Sequence, residues 1–330
     1  MKETPLQSVH VPGYQARDYE VVDYHMTELP GTGLKFRGPL PEDLESEGGF
    51  FACLGAAQTL GCFCDSPYPS LVAGRIGLPA LNLGYGGAGP EFFVQQSKVM
   101  KHVERARFVV LQVMSGRSQS NSYYECGGLE YVTLRHDGRR IGAHAAFEEL
   151  VWGPQLVAKL PLPKRVRRRV SELVAVPSRR IPALVKELQE AWVASSLELI
   201  RLIPAPVILV WFSQRAPAYR QRFGTAEVTL GQFPHLVTEQ MVDELRPHVA
   251  GYVESVTRRG TPQPLYSRFT GEATTVTPAN DRKDLGSAVW RTNPYYPSPE
   301  MHVDVAEAIL EHLHSNTRQY GLSVPHSNGH

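Results

Sequence analysis

The chain has 330 residues, 42% of them hydrophobic, enough to bury a large core as one elaborated domain or two small ones. Its 34 Lys and Arg nearly balance 33 Asp and Glu, which argues against a global field drawing the protein to nucleic acid or anionic lipid. The longest apolar stretch, Ala205 to Phe212, falls far short of the roughly 20 residues that span a bilayer. Met1-Lys2-Glu3-Thr4-Pro5 leads into no apolar run, so no secretory signal and a cytoplasmic location are expected.

Residues Met1 to Gly49 are rich in Pro, Gly and acidic residues and read as an irregular arm, most structured at Leu34–Pro39. From residue 50 onward a repeating rhythm predicts one α/β domain. Continuous apolar runs at Phe50–Leu54, Ala80–Leu83, Phe108–Val113, Val207–Phe212 and Tyr252–Val256 suit parallel strands buried on both faces. Helical patterns are expected between and after them, at Tyr68–Ile76, Glu91–Val103, Ile181–Ile203, Leu236–Val249 and Glu300–Leu313. Strands alternating with helices imply a doubly wound sheet of about five strands, with Phe50–Leu54 central and a ligand at the carboxyl ends. The long third crossover reads as a cap inserted over residues 114–178. It contains a hairpin of Tyr131–Arg135 and Ile141–Ala143 turning at Asp137-Gly138, and a basic helix at Lys164–Arg169. Cys53 lies in a strand run, and Cys62-Phe63-Cys64 is too closely spaced for the usual zinc pair, so reduced thiols and no metal are expected.

The first strand ends in Leu54-Gly55-Ala56-Ala57-Gln58-Thr59, and the second in Asn82-Leu83-Gly84-Tyr85-Gly86-Gly87. This order resembles the SGNH/GDSL hydrolase superfamily, in which the first strand runs into Gly-Asp-Ser and the second ends in Asn-x-Gly-x-x-Gly. The resemblance implies a flavodoxin-like three-layer fold with its site where these loops meet. It sets Ala57 where the family carries its nucleophilic Ser, and Gly87 on the glycine whose N–H lines the oxyanion hole. The third strand leads to Met114-Ser115-Gly116-Arg117-Ser118-Gln119-Ser120-Asn121, with no asparagine in register, though Asn121 could reach back. Toward the C-terminus, Asn293 and Tyr296 replace the family's acid and histidine in one register, and His302 supplies the base in another. Both leave the Ser-His-Asp system broken. Gly55-Ala56-Ala57-Gln58 is also similar to the Gly-Asn-Cys-Gln turn of a branch related to capsule-polysaccharide acetyltransferases, which implies coenzyme A chemistry. The chain further resembles a bacterial family that sometimes accompanies sulfotransferase-like proteins.

The polar groups expected at the strand ends are Gln58, Thr59, Tyr85, Gly86, Gly87, Ser115, Arg117, Ser118, Asn121, Ser213, Arg215, Tyr296 and His302. Arg117 and Arg215 suit a carboxylate, sulfate or phosphate, or alternatively salt bridges closing the cap. His302 suits a general base, or a satisfied buried histidine. Two functions follow. One is a group transferase without an enzyme nucleophile, in which His302, Tyr296 and Gln58 carry the chemistry. It would move an acyl or sulfuryl group from a coenzyme A thioester or adenosine phosphosulfate to a saccharide or small metabolite. The other is a catalytically inactive module that binds a ligand or partner.

Overall fold

The computed structural model describes residues 18–152, 180–277 and 289–322. The basic helix expected at Lys164–Arg169, the first 17 residues of the arm and the end of the cap segment lie outside them. The elements used below are, in chain order, β1 (Phe51–Gly55), α1 (Ala57–Leu60), α2 (Tyr68–Ile76), β2 (Ala80–Gly84), α3 (Pro90–Gln95), α4 (Ser97–Val103) and β3 (Val109–Gln112). They continue with α5 (Ala143–Trp152), α6 (Arg180–Arg201), β4 (Val207–Ser213), α7 (Ala226–Leu230), α8 (Glu239–Leu245), β5 (Gly251–Val256) and α9 (Pro299–Ser315).

The five strands form one sheet in the order β5-β4-β3-β1-β2, and every pairing within it is parallel. This is the flavodoxin-like order 2-1-3-4-5, whose winding reverses between β1 and β3. The expected strand β1 is therefore interior, but the middle strand is β3. Alternation across the strands supplies both faces. Ala52, Leu54, Val109, Leu111, Leu209 and Trp211 join a core with Phe92, Phe93, Trp192 and Val242 from α3, α6 and α8. Phe51, Cys53, Val110, Ile208, Val210 and Phe212 face a second core with Tyr68 and Val72 of α2 and Met301, Val305 and Ile309 of α9. Burial on both faces explains why each strand reads as an uninterrupted apolar run.

The helix expected over Glu91–Val103 is two helices, because Gln96 leaves helical geometry at φ −98° and ψ 64°. The one expected from Leu236 starts only at Glu239. Leu236 sits at φ 65°, and the Thr238 hydroxyl accepts the Met241 N–H as an N-cap. Within the cap segment, Tyr124–Glu125, Tyr131–Leu134 and Arg140–Gly142 make a three-stranded antiparallel sheet containing the expected hairpin. Its inner face, with Phe147 of α5, packs on Ile181, Leu184 and Leu188 of α6 and on Leu230. The arm contributes Phe36 and Leu29 to the main core, through the paired strands Thr27–Glu28 and Lys35–Phe36. No helix among the described residues is long and apolar enough to cross a membrane.

Candidate functional site

A buried glutamine organises the carboxyl ends of β1 and β3. Gln112 Oε1 accepts the Ala56 N–H (3.0 Å) and the Thr59 hydroxyl (2.7 Å), and its Nε2 reaches Gln58 Oε1 at 3.4 Å. Because Thr59 donates its proton to Gln112, the Tyr68 hydroxyl 3.0 Å away donates to Thr59. Glycine is required at Gly55, since a Cβ there would lie 2.0 Å from Thr59 Oγ1 and 2.3 Å from Gln112 Oε1. The network holds the turn 55–58 tightly and commits Thr59 to the scaffold. Asn82 does the same for the next strand, donating to the Thr59 carbonyl and accepting the Gly84 N–H.

Above this floor lies a cavity of about 250 Å³ lined by Gln58, Ser213, Gln214, Gln232, Phe233, His235 and Tyr295, among others. It opens at the carboxyl ends of β1 and β4, the side on which an open parallel sheet places its ligands. A smaller inner chamber of about 20 Å³ adjoins it. Ala56, Ala57, Gly87, Ser115, Arg117, Ser118, Glu130 and Tyr296 contribute to its lining, and Gln58, Phe233, His235 and Tyr295 line both spaces.

The best-positioned side chain of the shared wall, His235, was not anticipated from the sequence. His235 Nδ1 lies 2.7 Å from the Gly231 carbonyl, which can only accept, so Nδ1 carries the proton and Nε2 the lone pair. The Tyr295 hydroxyl lies 3.3 Å from Nε2 and donates to it. The loop bearing His235 is pinned on every side. Gly116 N–H donates to the His235 carbonyl, Ser213 to that of Phe233, and Gln189 to that of Leu236. Tyr295 is held from the other direction by Asn293, whose Oδ1 accepts the N–H groups of Tyr295 and Tyr296. His144 of α5 and Glu227 of α7 complete the outer rim. The turn residues of Gly231-Gln232-Phe233-Pro234-His235, following a strand end, were the available signal.

Of the expected residues, Gln58, Gly87, Ser115, Arg117, Ser118 and Tyr296 line the inner chamber, and Gln58 and Ser213 the outer cavity. Thr59, Tyr85, Gly86, Asn121, Arg215 and His302 line neither. Tyr85 stacks on Phe92 at 4.7 Å, and burial raises its phenol above the ordinary range. Asn121 closes its own turn, accepting the N–H groups of Tyr123 and Tyr124 and donating to the Gln119 carbonyl.

Both arginines already engage partners inside the fold. Arg117 pairs with Glu130 at 2.9 Å, with side-chain exposures of 5% and 12%, so the guanidinium meets a carboxylate already in place. Gly87, at φ +79°, lets that carboxylate's chain approach, since a Cβ there would meet Glu130 Cβ at 2.8 Å. Arg215 donates to the carbonyls of Ala216, Gln232, Pro234 and Val237 while lying over the rings of Trp211 and Tyr219. Burial pushes its pKa down to about 10. His302 is sealed in the core between Tyr68 and Phe212. Its Nδ1 accepts the Tyr68 N–H at 3.2 Å, which leaves the proton on Nε2. Burial, aided by the Arg37 charge, holds its pKa down at about 3. His302, expected among the polar groups at the strand ends, therefore lies outside the chamber that Arg117 lines, and Met301 rather than His302 faces the outer cavity.

A family model described as a domain of unknown function, DUF6473, matches residues 13–315. No curated protein matches the chain. Solved structures of similar fold include a carbohydrate esterase family 2 enzyme with a carbohydrate-binding domain from Corynascus thermopiles (Myceliophthora fergusii). It shares 10% identity over 87% of this chain and 70% of that one, at a TM-score of 0.38. Another is a family two carbohydrate esterase from Clostridium thermocellum in complex with cellohexaose, at 10% identity, 86% and 68% coverage and a TM-score of 0.35. A third is a catalytic mutant of Axe2, an acetylxylan esterase from Geobacillus stearothermophilus, at 12% identity, 86% and 99% coverage and a TM-score of 0.34. At such identities the roles of this chain's residues rest on its own geometry.

Proposed function

The chain belongs to the DUF6473 domain family, and from its geometry we propose that it is a group transferase that binds a neutral, hydroxyl-rich ligand such as a saccharide unit. The observation that carries this reading is the oriented His235–Tyr295 pair on the cavity wall, beside a turn whose position 57 is alanine. No serine at that turn can form an acyl-enzyme, so the acceptor's own hydroxyl attacks. Its oxygen bonds to the acyl carbon of a thioester donor; its proton passes to the Tyr295 oxygen as the Tyr295 proton passes to His235 Nε2. The bond from acyl carbon to sulfur breaks, and the thiol leaves with that proton. Hydroxyl and amide groups from Gln58, Gln214, Gln232 and Tyr295 suit a polyol better than an anion. Among the described lining residues of the outer cavity there is no lysine or arginine, which disfavours adenosine phosphosulfate as donor. The cap of residues 114–178 belongs to this proposal as the source of His144 on the rim and of the chamber's Arg117–Glu130 pair.

A second reading, a binding module without turnover, is favoured by size. About 250 Å³ is below the ~300–1,000 Å³ of ordinary ligand pockets and suits one small ligand better than donor and acceptor together. Thermal unfolding with N-acetylglucosamine, xylobiose, acetyl-coenzyme A and adenosine phosphosulfate tests the binding. A saccharide at ~100 times its Kd is expected to stabilise the fold by about 2.7 kcal/mol. The effect should disappear in Gln232→Trp, which fills the cavity from an exposed position. Transfer of labelled acetyl to the bound sugar, reduced roughly 10²–10⁴-fold in His235→Gln, separates the transferase from the binding module. Stabilisation by adenosine phosphosulfate alone would overturn the neutral-ligand assignment.

A further inference from the structure

We propose that the inner chamber is a binding site for a single water molecule, presented to the outer cavity across the wall of Gln58 and His235. The inference concerns the protein without ligand and does not depend on whether acyl transfer occurs. Three observations carry it. The first is size: about 20 Å³ exceeds the ~10–15 Å³ that one water needs. The second is chemistry, since a void stays dry when its walls are apolar. Here the lining includes the Gln58 amide, the Ser115 and Ser118 hydroxyls and the Arg117–Glu130 pair. A buried water needs two to four polar partners, and this lining offers more than that. The third is burial: Gln58, Ser115, Arg117 and Ser118 are each 6% exposed or less, so bulk solvent does not otherwise reach them.

The position of the chamber gives the water its interest. Ala57 lines it, at the turn where the resembled hydrolases carry a serine, so an oxygen is supplied by solvent at the residue where the chain supplies only a methyl group. A ligand filling the outer cavity meets this water along the wall that both spaces share. Recognition of its inward-facing hydroxyl or carbonyl is then water-mediated.

Crystallographic density decides between a wet site and a dry void, and substitutions at position 57 add a thermal comparison. In a crystal structure of the full chain at about 1.5 Å resolution, one ordered water is expected within hydrogen-bonding distance of the Gln58 amide and of Ser115 or Ser118. Ala57→Ser is expected to place its hydroxyl at or beside that water with little change in thermal stability. Ala57→Val puts carbon into the chamber and strips the polar lining of its partner, so its Tm should fall by several degrees. An unchanged or raised Tm in Ala57→Val, or a wild-type chamber without density, overturns the proposal. If the valine variant fails to fold, the wild-type and serine crystal structures still decide it.

Discussion

Acidification from pH 7 to pH 5 is expected to remove about 2 kcal/mol of folding stability through His302 alone, and His302→Asn is expected to abolish that portion. The imidazole has no exposure, and its pKa of about 3 lies far below the ~6.5 of an unfolded chain. Above pH 6.5 both states hold it neutral, and its contribution is fully present. As pH falls below 6.5 the unfolded state takes up the proton and the folded state does not, so stability drops by about 1.4 kcal/mol per unit until pH approaches 3. Burial is the main cause, with the neighbouring Arg37 charge second. Asparagine keeps an acceptor for the Tyr68 N–H but cannot titrate. Carboxylates such as Asp304, whose pKa is lowered by Arg259, add acid sensitivity of the same sign to both proteins. The difference between two urea series at pH 7 and pH 5 isolates the histidine. Parallel losses in the variant and the wild type would show that His302 is not the group responsible.

The second large effect concerns the ion pair behind the inner chamber. Arg117→Met is expected to cost about 3–5 kcal/mol, because it leaves the Glu130 carboxylate, 12% exposed, beside the Gly87 loop without its guanidinium. The double variant Arg117→Met, Glu130→Gln is expected to recover most of that loss, since it removes both desolvated charges. Equilibrium urea unfolding at neutral pH measures both. A single-variant loss under about 1 kcal/mol would mean the pair is solvated in the manner of a surface bridge, and would return Arg117 to consideration as an anion site.

The strands were legible in the chain because each is buried on both faces and therefore shows as a continuous apolar run bounded by turn residues. Helix limits were less so. The break at Gln96 and the delayed start at Glu239 come from backbone angles and from the Thr238 cap, which hydrophobic periodicity does not register. Arg215 illustrates what was hidden at the site. Its exposed-looking charge follows a strand end, but the carbonyls that absorb it come from Gln232, Pro234 and Val237, which only the folded loop brings back. His302 failed as a site residue for a related reason: the sequence places it one residue from the cavity-lining Met301, and a helix turns adjacent residues in different directions. The His235–Tyr295 pair joins residues 60 positions apart on two loops. Gln112, the hub of the floor, read as one more strand residue.

The most direct test of a site that works without an enzyme nucleophile is intact-mass analysis of the full chain after incubation with a fluorophosphonate and, separately, with p-nitrophenyl acetate. The account predicts an unchanged mass in both cases and negligible release of p-nitrophenol, because position 57 offers only a methyl group and the Ser213 hydroxyl is committed to the Phe233 carbonyl. A stoichiometric adduct mapped to Ser115 or Ser118 would contradict it, and would make one of those chamber-lining hydroxyls the nucleophile of an esterase.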